Sequence, residues 1–345
     1  MKFSIMLAML TTLAAAGLAG CGESDKDPQG EALSRVKAFI TTNISDLSDA
    51  NAKLQAAAPA PDADGWTATA DAAAVMSMKT QWKRARVAYE NIEGAIAVLF
   101  PELDYSTDQR YDAFLADNGP DTNLFDNQNV TGIHAIERIL WSDMIPAPVV
   151  TFEQTLPGFK AAAFPTTSQQ ADDFKNKLCA RLVADVKMLR DQFGPLALDS
   201  GAAFRGVIGS MGEQLEKAEL AASGEEESRY AAYTLADMRT NVNAGVKTFE
   251  AFKPWLKSKK ADQQIQKIDA AFVRVNGAYT GLTGDALPAV PATWSSQQPT
   301  AADLQTPFGM LWTVLHDEAD PDTAGTLVYE MNAAADILGI PQLPE

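Results

Sequence analysis

Two side chains that could bind a metal ion stand three residues apart in the apolar stretch GIHAIERILW, residues 132–141. They are His134 and Glu137. Positions i and i+3 share one face of a helix, so the imidazole and the carboxylate are predicted to project together. The apolar neighbours predict a largely buried helix, and burying two polar groups costs free energy unless both find partners. A metal ion would satisfy both groups, and so would an ordinary structural hydrogen bond.

A second pair with the same spacing, Glu90 and Glu93, lies in the stretch YENIE. Two carboxylates on one buried face repel each other unless a cation or protons lie between them, whereas a solvated acidic face would need neither. Di-metal carboxylate bundles build their sites from inward-facing pairs of this kind on separate helices. Oxygen-rich ligands with a single imidazole favour iron, manganese or a similar ion, with zinc and copper also open. Together the two pairs predict a metal site between helices.

The patterns for hydrolytic chemistry are incomplete. Zinc peptidases of the zincin type need His-Glu-x-x-His, and the inverted type needs His-x-x-Glu-His, but Arg138 stands where the inverted pattern has its second histidine. His316, the only other histidine, is expected at a helix end near the surface. Cys179 has no neighbouring histidine or basic cluster to activate its thiol, so a nucleophile there is not expected.

The first thirty residues are predicted to direct export rather than to fold. Lys2 precedes a short apolar run, residues 3–18, which is typical of a secretory signal, and the run is too short for a typical membrane span. The sequence LAGC that ends at Cys21 resembles the lipobox of bacterial lipoproteins. This resemblance implies a signal peptide of residues 1–20 and a lipidated Cys21, with an ordinary cleaved signal as the alternative. Residues 21–32 are expected to form a polar tether.

The composition is typical of a soluble, acidic, helical protein. Asp and Glu number 45 against 28 Lys and Arg, a net charge of −17. This balance argues against a nucleic-acid partner, which needs a basic surface, and it suits cations without proving that any bind. If Cys21 is lipidated, Cys179 has no partner for an intramolecular disulfide. The fold must then depend on core packing.

Helical periodicity dominates the rest of the chain, so the predicted fold class is all-α. Short connections predict two packed antiparallel helical bundles within residues 33–345, with a break near 194–201. Residues 105–129 are expected to be mostly loop with one short helix, because Asn, Asp, Gly and Pro cluster there. Pro101 is expected to end the second helix, and residues 225–227 to lie in a helix first turn. The main helices are expected at residues 33–54, 67–100, 127–142, 171–193, 204–222, 230–252 and 262–280.

GIHAIERILW resembles the Gly-x-His-x-x-Glu signature of the imelysin family, which is also filed as a peptidase family. Residues 223–256, SGEEESRYAAYTLADMRTNVNAGVKTFEAFKPWL, resemble the matching region of EfeO-type iron-uptake lipoproteins, and YENIEG lies where that group has its own Glu-x-x-Glu. The resemblance covers most of the chain after the tether and implies a fold of two helical bundles. It is closest to EfeO-type chains without a cupredoxin domain, so electron transfer to iron within this chain is not expected.

The resemblance also implies a ligand set and a role in binding rather than hydrolysis. The implied metal ligands are His134, Glu137, Glu90, Glu93, Asp108 and Glu216, and Tyr230 and Asp237 match later positions of the EfeO-type run. Ala232 and Thr234 depart from that run, since EfeO-type chains tend to have His and Asp there.

Taken together, these features predict a lipid-anchored protein of the cell envelope, periplasmic or at the outer membrane. It would bind iron or another divalent metal in uptake, reach the membrane through its N-terminal lipid, and work with an iron permease or a peroxidase. Two alternatives stay open. One is a metallopeptidase of the imelysin type, and the other is a binding or scaffold module without metal, in which His134 and Glu137 only stabilise the core.

Overall fold

The structure, a computed structural model, describes residues 27–67 and 69–343. The expected signal peptide, Cys21 and most of the expected tether lie outside these residues. Every regular element in the described ranges is helical, which confirms the all-α fold class. None of these helices combines the length and the apolar character needed to span a bilayer.

The α-helices are α1 (Pro28–Ala57), α2 (Ala72–Glu90), α3 (Glu93–Leu99), α4 (Pro101–Asp108), α5 (Tyr111–Asn118), α6 (Gly132–Leu140), α7 (Ala147–Glu153), α8 (Ser168–Asp173), α9 (Cys179–Phe193), α10 (Gly206–Leu220), α11 (Thr234–Ser258), α12 (Asp262–Thr280), α13 (Pro307–Ala319) and α14 (Leu327–Leu338). Single π-helical turns, Phe174–Leu178 and Gly201–Arg205, lead directly into α9 and α10. A short 3-10 helix, Asp303–Gln305, precedes α13.

The first helix begins earlier than its apolar periodicity predicts, so residues 28–32 belong to α1 rather than to a tether. The side chain of Asp27 accepts a hydrogen bond from the backbone N–H of Gly30 at 2.9 Å. Pro28 occupies the first helical position, where a proline loses no intrahelical hydrogen bond. The cap and the proline together explain why the helix starts there.

The predicted helix over residues 67–100 is two helices, α2 and α3, interrupted at Asn91 and Ile92. The N–H of Ile92 donates to the carbonyl of Tyr89 at 2.8 Å, a tightened bond typical of a helix end. Helix α3 ends at Leu99, just before Pro101, as expected, but Pro101 itself begins a further helix, α4, that was not expected. Helix α5 is the one short helix expected within residues 105–129. Residues 225–227 lie in turns between α10 and α11 rather than in a helix first turn.

The helices pack in two groups that share α11. In the first group α1 contacts α2, α9 and α11, and α6 contacts α2, α4 and α9. In the second group α10 contacts α11, α13 and α14, and α12 contacts the same three helices. The connection at residues 194–200 joins the groups, but their buried apolar side chains form one cluster. The division of the chain into two bundles near 194–201 therefore stays a prediction.

Candidate metal centre

Polar side chains from separate helices meet in the interior where α2, α4, α6, α10 and α11 approach one another. They are Arg86 and Glu90 of α2, Glu93 of α3, Asp108 of α4, His134 and Glu137 of α6, Lys217 of α10, Glu227 of the following turns, and Asp237 and Asn241 of α11. All are buried except Glu93 and Asp108, which are partly exposed. We call Glu90, Glu93, Asp108, Glu227 and Asp237 the carboxylate cluster.

Gly132 brings α6 close enough to α4 for the two helices to share this site. Its φ is +88°, and a Cβ at this position would lie 2.4 Å from the carbonyl oxygen of Thr107 and 2.7 Å from that of Ser106. A glycine is needed because a side chain has no space there and the backbone conformation is left-handed. The contact places His134, two residues later, beside Asp108 at the end of α4.

We expect Gly132→Ala to lower the free energy of unfolding by at least about 2–3 kcal/mol, because it combines a left-handed backbone with a steric overlap. Urea denaturation would measure the change. Gly209→Ala is the matched control, since Gly209 lies in α10 with open space around its Cβ position. That control should be neutral or slightly stabilising. Equal losses in both variants would contradict the close approach of α6 to α4.

The two nitrogens of the His134 ring have different surroundings. Nδ1 lies 2.7 Å from Oε2 of Glu137, and the other oxygen of Glu137 accepts the N–H of Ala231 at 2.8 Å. Nε2 lies 3.3 Å from Oδ1 of Asp108, yet it has no aligned hydrogen bond within the described residues. Metal-binding histidines commonly have one nitrogen bonded to a carboxylate while the other faces the ion. Glu137 therefore orients the ring and leaves Nε2 for a ligand.

The atoms that Nε2 faces have the spacing of a metal ligand set. One carboxylate oxygen each from Asp108 and Glu227, with a ring nitrogen of His134, lie within 4.8 Å of one another. Two carboxylates and one imidazole suit iron, manganese or zinc. The buried nitrogen without a hydrogen bond is the observation that fits such an ion.

Two permanent cations lie among these acids. Arg86 donates hydrogen bonds to Asp108, to Glu90 and, at 2.6 Å, to Glu227, and it lies 3.3 Å from Asp237. Lys217 lies 2.7 Å from Glu227 and also contacts Glu90 and Glu93. Five carboxylates in the cluster, or six with Glu137, thus face two permanent positive charges, and the excess negative charge calls for protons or a further cation.

The pKa values follow from this imbalance. Burial raises the pKa of Asp237 to about 7 although Arg86 lowers it, and burial raises the pKa of Glu90 well above its usual range. Burial also disfavours ionised Glu227, but Lys217 and Arg86 outweigh that effect and hold its pKa well below its usual range. Glu227 is therefore a carboxylate that stays ionised in the buried site.

The structure brings most of the predicted ligands together, in different roles. His134 and Asp108 face each other, and Glu137 supports the ring of His134. Glu90 and Glu93 reach the cluster but contact Arg86 or Lys217, so their coordination of an ion stays a prediction. The sequence analysis did not single out four of the contributing side chains, Arg86, Lys217, Glu227 and Asn241.

The other residues implied by resemblance lie at or beyond the edge of the cluster. Asp237 is bound by Arg86 and Ser228. Glu216 is exposed on α10 and lines the cleft described below. The hydroxyl of Tyr230 donates to Glu153, which also pairs with Arg138 in a separate buried network.

An open cleft connects the cluster to the surface. It has a volume of about 330 Å³ and reaches Asp108, Glu227 and Lys217 at its inner end. The charged side chains that line it are mostly acidic. They are Glu93, Asp104, Asp108, Glu213, Glu216 and Glu227, against the basic Arg110 and Lys217. A cation would be attracted along this path, because clefts lined by one sign of charge concentrate ions of the other sign.

The remaining candidates for hydrolytic chemistry do not join this site. His316 is exposed in the last turn of α13 and stacks on Trp312, with ring centroids 4.7 Å apart. Cys179 is buried, and burial raises the pKa of its thiol. Neither residue supplies the second histidine or the nucleophile that a peptidase would need.

The fold and the site define an all-helical protein with a candidate metal centre of one imidazole and several carboxylates between its helices. The chain belongs to the imelysin family: the family model described as imelysin, named Peptidase_M75, matches residues 40–306.

A solved structure shows the same fold. It is an imelysin-like protein from Psychrobacter arcticum 273-4, with 13% sequence identity, a TM-score of 0.56, and coverage of 93% of this chain and 99% of that one. At this identity the likeness shows the fold alone. No curated protein matches the chain. The finer resemblance to EfeO-type lipoproteins stays a prediction.

Proposed function

We propose that this protein binds a divalent metal ion, iron foremost, and serves metal uptake at the cell envelope. The observation that carries the proposal is Nε2 of His134. This nitrogen is buried, has no aligned hydrogen bond among the described residues and faces two carboxylates, while Glu137 holds the opposite nitrogen. With Nδ1 held by Glu137, the ring presents Nε2 to Asp108 and Glu227, which is the arrangement of a metal-binding histidine.

The residues present suit such an ion. Asp108, His134 and Glu227 would be its ligands, and Glu137 would orient the imidazole. The ion would supply the positive charge that the carboxylate cluster lacks. Oxygen-rich ligands with one imidazole favour iron or manganese, and zinc and copper remain alternatives.

The cellular context is part of the proposal. The lipobox-like sequence at Cys21 supports a lipid anchor, and the acidic composition supports a cation as cargo. An iron permease or a peroxidase is the partner expected for an envelope protein of the EfeO type. The metallopeptidase alternative lacks the second histidine of the zincin patterns, since Arg138 stands at the position after Glu137.

Metal affinity is expected to increase with pH well above the range in which histidine ordinarily titrates. Burial lowers the pKa of His134, but the Asp108 carboxylate and the hydrogen bond to Glu137 outweigh it and raise that pKa to about 9. At neutral pH the ion must therefore displace a proton from the ring. This residue alone should make the affinity for Mn²⁺ rise up to ~10-fold per pH unit between pH 6.5 and 8.5.

Calorimetry with Mn²⁺, Fe²⁺ and Zn²⁺ tests both the function and its pH dependence. We expect one ion per chain and release of a proton, detected from the dependence of the heat on the buffer. An affinity that stops rising near pH 6.5 would contradict the raised pKa of His134. Absence of binding by all three ions would remove the proposed function. Peptide hydrolysis that survives repurification and is lost in Glu137→Gln would favour the peptidase instead.

A further inference from the structure

We propose that the ammonium group of Lys217 occupies a second potential metal site, next to the one that His134 faces. By filling this site, Lys217 limits the protein to one bound metal ion. The limit of one ion rests on the proposed function. The second site follows from the contacts of Lys217 alone, whether or not an ion binds at His134.

The ammonium group of Lys217 lies in a cage of oxygens. Its Nζ is 2.7 Å from Glu227, 3.0 Å from Glu93 and 3.3 Å from Glu90. A fourth oxygen, Oδ1 of Asn241, lies 2.9 Å away. Lys217 is only 6% exposed, so these contacts replace nearly all of its water. Lysines are almost never this buried unless they are paired, and here three carboxylates surround one ammonium.

The cage also has the dimensions of a metal site. Carboxylate oxygens of Glu90, Glu93 and Glu227 lie within 4.8 Å of one another. Divalent ions bind oxygen at about 2.0–2.6 Å, so donors on opposite sides of one ion lie about 4–5 Å apart. The neutral oxygen of Asn241 completes a donor set without histidine, which favours hard ions such as Mn²⁺.

Contacts other than those of Lys217 hold the cage in shape. Nδ2 of Asn241 donates to the carbonyl of Glu90 at 2.9 Å and to the carboxylate of Glu93 at 3.0 Å. Gln214 donates to Oδ1 of Asn241 at 3.2 Å, and Tyr279 donates to Gln214 at 2.8 Å. Because the amide is fixed in this way, Oδ1 of Asn241 continues to face the cage when the ammonium is removed.

Glu227 belongs to both the cage and the group formed with Asp108 and His134. Two ions in these adjacent positions would share its carboxylate, as paired metal sites commonly share one. The positive charge of Lys217 already occupies the second position and repels a further cation at short range. Lys217 thereby decides between a single and a paired metal site.

Lys217→Met tests this inference because methionine keeps an unbranched apolar stem and removes the ammonium. With Mn²⁺ as the probe, equilibrium dialysis and elemental analysis should find two ions per chain in the variant against one in the wild type. Lys267→Met is the matched control, since Lys267 also pairs with a buried glutamate, Glu330, but away from the cluster. The control should keep one ion.

The variant leaves several carboxylates without their cation, so its fold requires a separate check by circular dichroism with and without Mn²⁺. Folding that depends on Mn²⁺ would support the cage. Lys217→Gln provides a second test, because its amide N–H groups can still donate to the remaining carboxylates while the positive charge is gone. It should also bind two ions of Mn²⁺ per chain, and a folded Lys217→Gln with one ion would overturn the inference.

The outcomes separate the inference from the proposed function. One ion in both wild type and a folded Lys217→Met would overturn the inference and leave the proposed function intact. No ion in the wild type and one in Lys217→Met would support the cage and overturn the proposed function. No ion in either protein would overturn both.

Discussion

His134→Ala is expected to lower the affinity for Mn²⁺ or Fe²⁺ by more than about 100-fold. The substitution removes Nε2, the one nitrogen donor of the candidate site, and leaves two carboxylates that Arg86 already contacts. Loss of a group that only supports a ligand typically costs about 10–100-fold in metal affinity, and loss of the ligand itself should cost more. Calorimetry of both proteins at one pH measures the difference.

Two further variants turn this into a graded test. Glu137→Gln should fall in the 10–100-fold range, because it weakens the partner of Nδ1 and leaves the ring in place. His316→Ala should bind as the wild type does, since it removes the exposed histidine of α13. Unchanged affinity in His134→Ala, together with a large loss of Tm, would assign the histidine to the core and remove the metal site.

Arg86→Met is expected to lower the free energy of unfolding by about 3–5 kcal/mol, the usual cost of leaving buried charges without their partner. Arg86 is fully buried and contacts four carboxylates from four segments of the chain. No other residue in the described part of the chain pairs with so many acids at once. Urea denaturation at pH 7.5 measures the loss. Arg84→Met is the control, because Arg84 is exposed and, among the described residues, hydrogen-bonds only to Gln81.

The loss should depend on pH in a defined direction. Burial holds the pKa of Asp237 at about 7 even with Arg86 beside it, and removing the guanidinium should raise that pKa further. An acid whose folded pKa lies above its unfolded value near 3.9 destabilises the protein increasingly as pH rises between the two. The deficit of Arg86→Met should thus be smaller at pH 5 than at pH 8, and added Mn²⁺ should reduce it. Losses of equal size in both arginine variants would contradict the central role of Arg86.

The sequence could predict features that depend on residues within a single helix. The contact between His134 and Glu137 follows from a spacing of three residues, because helix geometry alone places both on one face. The all-α fold class follows in the same way from apolar periodicity. The spacing of Glu90 and Glu93 was the same, yet the helix breaks between them at Asn91 and Ile92, and both carboxylates still reach Lys217.

The sequence by itself therefore determined the all-α class and the pairing of the imidazole with its supporting carboxylate. Only the tertiary structure decided which groups Nε2 of His134 faces, because Asp108 and Glu227 come from other segments of the chain. It also decided that Lys217 lies among the acids. Interactions between distant segments depend on how close the backbones can approach, as at Gly132, and on the balance of charge in the buried space, and neither is encoded in local spacing.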